Sequence, residues 1–261
     1  MIFLKLGGSL ITDKMKPETI RPEVLRRIAS EIAAFTHKNP GEKLLLGHGS
    51  GSFGHYHAAR YQTHLGANTP EEWRGFGEVW AAANRLNNHV LNSLLDEGLP
   101  VICFAPCSSA IARSGRIESM EVEPIRRCLD AGLIPLVHGD TAFDRELGST
   151  IISTEEIFRR LSKILQPDTI LLAGVDEGVL RCYDDSSSLI NELTPAEVDS
   201  IHLGKSMAPD VTGGMLDKVM TAFKFLEIVP GLEVHIFSGL KPGSVMNALC
   251  GKPSGTRLHS G

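Results

Sequence analysis

The sequence lacks the features that mark several broad classes of protein. Its five cysteines are an odd number with no C-x-x-C spacing, so neither a disulfide framework nor a zinc site is predicted. The net charge of −5 over 261 residues offers no general attraction for nucleic acid or an anionic membrane. The apolar stretch at residues 1–6 has no basic leader and is too short for a signal peptide. We expect a cytoplasmic protein with reduced cysteines and no nucleic-acid or membrane partner.

Strand-like and helix-like segments alternate along the chain. Helical spacing of apolar residues follows Pro22 and recurs over residues 70–97, and the S-x-x-E sequence at residues 153–156 predicts a capping box at another helix start. Polar loops are predicted at 184–188 and 204–210, the second followed by a helix over 215–228. This alternation predicts an α/β fold with a mostly parallel sheet. The strands are expected at residues 2–6, 43–47, 101–105, 133–137, 169–173 and 233–237.

The first predicted strand ends in a lysine and a glycine turn, Lys5-Leu6-Gly7-Gly8-Ser9. Two glycines allow backbone N–H groups to approach phosphate oxygens, although tight turns also use them routinely. Lys5 is the informative residue, because a lysine in an apolar strand must be paired or face a polar site.

The second strand is followed by the string H-G-S-G-S-F-G-H at residues 48–55. Its glycines and serine hydroxyls suit a nest of N–H groups for an anion, and the imidazole of His55 would add a donor. His57 is expected to be a structural or surface residue. The string also has the G-x-G-x-x-G spacing of dinucleotide-binding proteins, but no following strand ends in a ribose-binding acid about twenty residues on.

A third glycine junction, D-V-T-G-G-M at residues 210–215, precedes a predicted helix whose first turn carries Lys218. Backbone donors, the helix dipole and the lysine would converge on one negative ligand. The arrangement differs from a Walker A loop, which does not occur in the chain.

Together, these three junctions resemble those of the isopentenyl phosphate kinases of the amino acid kinase superfamily, and the likeness runs in order from Ile2 to Thr256. The Gly-Gly-Ser turn belongs to the wider superfamily. The H-G-x-G-x-F-G-H string with D-V-T-G-G-M is much narrower, and His55 is its discriminating residue.

The resemblance implies one domain with an open αβα sandwich, usually in a homodimer. The acceptor would bind an N-terminal lobe, residues 1–165, and ATP with Mg²⁺ a C-terminal lobe, residues 166–261. Lys5, Lys14 and His55 would be catalytic, and no residue is expected to ligate a metal. Ser50, Gly54, His55 and Thr154 would contact the acceptor. The nucleotide would contact Lys5, Leu6, Gly7, Gly8, Ser9, Gly51, Val175, Asp176, Gly214 and Lys218.

Two positions depart from the family pattern. The family commonly has Ser-Gly-Asp where this chain has Ser153-Thr154-Glu155, so Thr154 replaces a glycine expected to contact the acceptor phosphate. The family aspartate near the nucleotide falls on Val175, unless the register slips by one residue to Asp176.

A phosphate acceptor fits these residues, because a phosphate monoester is already anionic and needs no base. It needs cations and N–H donors to offset the repulsion between two polyanions. Kinases of fosfomycin-type phosphonates, N-acetylated amino acids or nucleoside monophosphates are the alternatives on this fold. A non-catalytic nucleotide-binding protein and a dinucleotide-dependent oxidoreductase are alternatives from other classes. Asp140 is interpreted either as a site residue or as a loop cap. Phe76, Val79 and Ala83 are interpreted either as the lining of a prenyl pocket or as core.

Overall fold

The computed structural model describes residues 1–181, 188–200 and 214–261. Most of the polar run at 184–188, the loop at 204–210 and residues 210–213 of the third glycine junction lie outside the described residues.

Twelve strands are found in the described part of the chain, and they form two sheets. In chain order they are β1 (Ile2–Leu6), β2 (Leu44–His48), β3 (Val101–Cys103), β4 (Ala110–Arg113), β5 (Arg116–Met120), β6 (Ile134–His138), β7 (Asp140–Asp144), β8 (Gly148–Ile152), β9 (Thr169–Gly174), β10 (Glu192–Leu193), β11 (Glu233–Ser238) and β12 (Thr256–Leu258). The large sheet has the order β10-β12-β11-β9-β1-β2-β6-β3. Among these described strands of the large sheet, only the β11–β12 pair is antiparallel, and the predicted mostly parallel sheet is confirmed.

The α-helices of the described residues lie between these strands. They are α1 (Gly8–Ile11), α2 (Pro22–Lys38), α3 (Gly51–Tyr61), α4 (Pro70–Asp96), α5 (Pro106–Ser109), α6 (Glu123–Asp130), α7 (Thr154–Leu165), α8 (Gly214–Leu226) and α9 (Ser244–Leu249). Short 3-10 turns cover Thr63–Leu65 and Pro195–Ser200. None of the helices in the described ranges is long and apolar enough to span a bilayer.

The large sheet has an apolar core on each face. Side chains alternate along β1, so Phe3 packs with α6, α7 and α8, whereas Leu4 packs with α2, α4 and α9. The Phe3 ring meets Phe158 of α7 edge to face, with centroids 5.1 Å apart. These layers confirm the αβα sandwich. Lys5, two residues after Phe3, lies on the same face of the sheet, towards α7 and α8, and is the one polar residue of β1.

The six predicted strands are present with ends shifted by at most two residues, and the helix over 70–97 is α4. The capping box predicted at 153–156 is only half formed. The Ser153 hydroxyl accepts the Glu156 N–H at 3.1 Å and starts α7. The Glu156 carboxylate does not accept the backbone N–H of Ser153, because it accepts two hydrogen bonds from Arg159 instead.

A second sheet was not predicted. Its order is β5-β4-β7-β8, and it consists of two hairpins joined by parallel pairing of β4 with β7. The register shifts between Ile111 and Ala112, so the apolar alternation that reveals a strand is interrupted. This sheet brings Arg116 and the end of β8 to one side of the site described below.

Candidate active site

A cleft of about 660 Å³ opens at the carboxyl ends of the central strands. β1 lies between β2 and β9, so the turns after these three strands meet although they are far apart in sequence. This is where open parallel sheets bind ligands. The cleft brings together many of the predicted site residues: Lys5, Gly7, Gly8, Ser9, Lys14, Ser50, Gly51, His55, Thr154, Asp176 and Lys218.

Four other predicted contacts, Leu6, Gly54, Gly214 and Val175, are not among the residues that line the cleft. The Leu6 side chain is 2% exposed and packs in the core on the opposite face of the sheet, because side chains alternate along β1. Gly54 is buried against the Ser50 side chain, so its lack of a Cβ makes room for Ser50. Gly214 is the first residue of α8, with φ +70°. Lys218 therefore begins the second turn of α8, not the first.

The first two glycine turns are in direct contact. A Cβ added to Gly8 would overlap the backbone nitrogen of Gly51, so both turns need glycine at their closest approach. Gly51 also has φ +50°, and a Cβ there would overlap the Thr12 hydroxyl. The Gly7 N–H donates to the Ala173 carbonyl at 2.8 Å, which ties the β1 turn to the end of β9. The floor of the cleft is therefore built from close backbone contacts.

The second glycine string is a helix start, not the open nest that was predicted. The Ser52 N–H donates to the Thr12 hydroxyl at 3.0 Å, and the N–H groups of Phe53 and Gly54 donate to the Ser50 carbonyl. These three donors are used inside the protein. The residues of this junction that line the cleft are Ser50, Gly51 and His55.

Lys5 forms an ion pair with Glu155, the second residue of α7. The exposed fractions of the two side chains are 15% and 26%. Burial acts to raise the pKa of the Glu155 carboxyl, but the charge and hydrogen bond of Lys5 outweigh it, and the pKa lies below its usual range. Glu155 is thus ionised at neutral pH and fixes the direction of the Lys5 ammonium group.

A second ion pair lies at the other side of the cleft. The Lys218 Nζ donates to the Asp176 Oδ2 at 2.9 Å, and Asp217 lines the cleft next to it. Asp176, not Val175, is the residue at the cleft; Val175 is half-buried and its carbonyl accepts a hydrogen bond from Ser238. The predicted Val175 contact therefore falls behind the lining.

Thr154 occupies the position where the family pattern has glycine. Its hydroxyl donates to the His48 carbonyl at 2.6 Å, and its methyl group lies over Gly47, where a Cβ would collide with it. The side chain is 1% exposed. Thr154 is also the first residue of α7, where backbone N–H groups lack partners within the helix. The threonine side chain packs against β2 and leaves this N–H end of α7 beside the cleft.

Several lining residues were not predicted. Arg116 comes from the second sheet, and Thr221 and Lys224 come from the face of α8 that carries Lys218 at helical spacing. The helical repeat after Lys218 was the available signal for that pair. No sequence signal marked Arg116, because its strand was not predicted. The lining also includes apolar residues: Ala58 and Ala59 follow His55 in α3, and Ile151 and the fully buried Ile152 end β8.

Asp140 lies behind the cleft in a buried polar group. It is 2% exposed, and one carboxylate oxygen accepts the Thr141 N–H at 2.8 Å, while Oδ2 has no hydrogen-bond partner among the described residues. Burial raises the pKa of Asp140 to about 7. The neighbouring His138 ring stacks on His48, and burial lowers the pKa of His138 to about 3. The structure therefore places Asp140 behind the lining, where it accepts backbone N–H groups.

The chain is similar to known proteins over nearly its whole length. A model of the amino acid kinase family matches residues 1–238. Isopentenyl phosphate kinase from Methanothermobacter thermautotrophicus is 34% identical, over 99% of the chain and 98% of that protein. Isopentenyl phosphate kinase from Methanocaldococcus jannaschii is 31% identical over the same shares. An X-ray structure of an isopentenyl phosphate kinase aligns with a TM-score of 0.84 and 30% identity, covering 99% of both chains. The chain therefore belongs to the amino acid kinase family and is a phosphotransferase.

Proposed function

We propose that the protein transfers the γ-phosphoryl group of ATP to isopentenyl phosphate and forms isopentenyl diphosphate. The observation that carries the proposal is the meeting of Lys5, Lys14, Lys218 and His55 at one cleft, around the glycine turns that end β1 and β2. Two polyanions approach each other in this reaction, and such a cleft offers the cations and N–H donors to hold them. The relatives named isopentenyl phosphate kinase match nearly the whole chain.

In the proposed reaction, an oxygen of the acceptor phosphate forms a bond to the γ-phosphorus. The bond from that phosphorus to the oxygen bridging to the β-phosphate breaks, and ADP leaves with the electron pair. Lys5 has three N–H donors, and one of them is held by Glu155. The remaining two are available to the transferred group. His55, with Ser50, holds the acceptor phosphate, while Lys14 offsets the charge that spreads over the transferred oxygens.

The nucleotide phosphates would lie beside Lys218 and the end of β9. Mg²⁺, when bound, would neutralise part of the charge on the ATP oxygens. No group of three potential metal ligands occurs in residues 1–181, 188–200 and 214–261. Mg²⁺ in such sites is held largely by phosphates and water with one or two carboxylates. The sequence predicted no metal ligand, but Asp176 and Asp217 line the cleft beside Lys218 and would fit that requirement.

The short isoprenoid tail of the acceptor would lie on the apolar part of the lining formed by Ile151 of β8 with Ala58 and Ala59, which follow His55 by one turn of α3. Phe76, Val79 and Ala83 of α4 are buried at 9%, 2% and 2% exposure, and the described lining of the cleft does not include them. The tail site is therefore assigned to α3 and β8.

The proposal includes further parts that follow from the family resemblance. Residues 1–165 would form the acceptor-binding lobe and residues 166–261 the nucleotide-binding lobe. The protein would act as a homodimer in the cytoplasm and supply isopentenyl diphosphate for isoprenoid synthesis. Reduced cysteines agree with a reducing compartment, since Cys103, Cys107, Cys128 and Cys250 are free thiols.

The test is a panel of acceptors with Mg·ATP, in which ADP release and the phosphorylated product are both measured. Isopentenyl phosphate is expected to react far faster than fosfomycin, N-acetylglutamate or uridine monophosphate. Mass spectrometry should show the diphosphate formed in equal amount to the ADP. A comparable or higher rate with any other acceptor would refute the assignment.

A further inference from the structure

The segment that carries Lys14 is a surface loop between α1 and α2, here called the Lys14 loop (residues 13–19). Residues 14–17 are all exposed. The base of the loop is closed by an antiparallel bridge between Thr12 and Ile20 and by the Asp13 N–H, which donates to the Thr19 carbonyl at 2.8 Å. Burial therefore does not fix Lys14, although the residue lines the cleft.

The C-terminal side of the loop, next to its base, contacts the helix that carries His55. The Thr19 N–H donates to the Ser52 hydroxyl at 3.3 Å, and the Glu18 N–H donates to the Ser52 carbonyl at 3.4 Å. Ser52 lies in the first turn of α3, three residues before His55. These two hydrogen bonds are long and both involve Ser52, so they hold the loop only weakly.

Glu18 supplies a stronger connection. Its carboxylate accepts two hydrogen bonds of 2.7 Å from the Arg85 guanidinium of α4 and a third of 2.7 Å from the His57 Nε2–H of α3. The Arg85 hydrogen bonds lower the pKa of Glu18 to about 2, against the effect of burial and with help from His57. The group thus remains charged at neutral pH. A bidentate pair of this kind sets direction as well as distance.

The backbone conformation of Glu18 also indicates that its side chain is held in place. Its φ is +45°, in the left-handed region that costs a residue with a Cβ about 1 kcal/mol. Glycine or asparagine is the usual choice there. A glutamate in this conformation is maintained by its side-chain contacts, which come from two helices outside the loop.

We propose that Glu18 is a positioning residue for phosphoryl transfer. Its carboxylate, held by Arg85 and His57, fixes the Lys14 loop against the helix that carries His55. The inference rests on the proposed function, because that function gives Lys14 and His55 their roles in the reaction. Glu18 is not part of the described lining of the cleft, and it acts on the reaction through the position of Lys14.

The test is a double-mutant cycle of Glu18→Gln and Lys14→Ala, measured as kcat with the acceptor that wild type prefers. Glu18→Gln alone should lower kcat at least about tenfold, since small displacements of a catalytic group carry penalties of that size. The KM for ATP should change less than about twofold, and Tm by no more than about 4 °C. In the Lys14→Ala background, Glu18→Gln should lower kcat less than about twofold. Equal losses in both backgrounds would overturn the proposal.

Arg85→Met is the second variant, because it removes the same contact from α4 without changing the loop. It should produce the same kinetic pattern. Glu123→Gln is the matched control: Glu123 accepts a hydrogen bond of 2.7 Å from Arg127 on α6 and lies outside the described cleft lining. This control should leave kcat unchanged.

Hydrogen exchange gives a readout that does not depend on catalysis. Glu18→Gln should raise amide exchange in peptides covering residues 13–19 and leave α2 as in wild type. Unchanged exchange in that loop, or wild-type kcat in Glu18→Gln, would overturn the positioning role. Failure of the proposed function would appear separately, as a different preferred acceptor of the wild-type protein, and the cycle would then be run with that acceptor.

Discussion

Replacement of Asp140 by asparagine is expected to stabilise the protein in a pH-dependent way. The carboxyl is buried, its Oδ2 has no partner among the described residues, and burial raises its pKa from 3.8 to about 7. His138 and His48 next to it have lowered pKa values because they are buried, so they bring no positive charge to stabilise the carboxylate at neutral pH. Ionisation of Asp140 is therefore easier in the unfolded chain than in the folded one.

The sign and size of the effect follow from linkage. The folded pKa is above the unfolded pKa, so the contribution to stability is fully present below about pH 4 and is lost as the pH rises to about 7. The rise from 3.8 to about 7 corresponds to roughly 4 kcal/mol lost at alkaline pH. Between about pH 5 and pH 8 the loss is about 2–3 kcal/mol. The side-chain amide of the Asp140→Asn variant would not ionise, and its oxygen would still accept the Thr141 N–H.

The assay is chemical denaturation of wild type and Asp140→Asn at about pH 5 and about pH 8. The difference in unfolding free energy should move by about 2–3 kcal/mol in favour of the variant at the higher pH. Asp144→Asn, at the other end of β7, is the matched control with the opposite sign. Burial opposes ionisation of Asp144, but N–H groups of Gly115 and three neighbouring residues outweigh it and lower its pKa. The stabilisation by the Asp144 carboxylate is therefore fully present above about pH 5 and is lost only at lower pH, so Asp144→Asn should destabilise the protein equally at about pH 5 and about pH 8. The same difference for Asp140→Asn at both pH values would refute the reasoning.

Three further predictions concern the cleft. His55→Ala should raise the acceptor KM or lower kcat at least about tenfold in steady-state kinetics, and wild-type kinetics would remove the histidine from the mechanism. Glu155→Gln should lower kcat about tenfold or more, because Lys5 loses the partner that directs it, whereas Glu155→Asp should lose less; a Gln variant as active as wild type would contradict this. Gly51→Ala should lower Tm by several degrees, because φ is +50° and the Cβ has no room, while Gly77→Ala on the open face of α4 should leave Tm unchanged or raise it. Equal melting shifts for the two glycine variants would refute the packing argument.

The large sheet could be predicted from sequence because its strands are buried on both faces. Strands such as β2 and β6 are buried at every position, so their apolar runs are conspicuous. In the second sheet, β5 is buried at only two of its five residues, and the register of the β4–β5 pair shifts between Ile111 and Ala112. The strands of the second sheet depend on pairing with one another, and the sequence pattern of one strand predicts such pairing poorly. Arg116 was missed for this reason.

The candidate site shows the same division between local and distant information. Lys5 could be singled out from a local rule, because a lysine in an apolar strand requires a polar partner. Its partner Glu155 is 150 residues away and meets it only because α7 starts beside β1. Similarly, Val175 and Asp176 are adjacent in sequence, and only the ion pair to Lys218 shows which of them faces the cleft. Local rules identify the candidate residue, and the topology supplies its partner.

Thr154 shows how a departure from a family pattern depends on residues far from it. A threonine in place of glycine at the acceptor end of a cleft suggests a blocked phosphate site. Here the hydroxyl donates to the His48 carbonyl and the methyl group fills the space over Gly47. A side chain at position 47 would collide with Thr154 and Phe158, so a glycine in the middle of β2 makes room for the threonine at the start of α7. The backbone N–H at that helix start therefore keeps its place beside the cleft, and the substitution is compatible with an acceptor phosphate there.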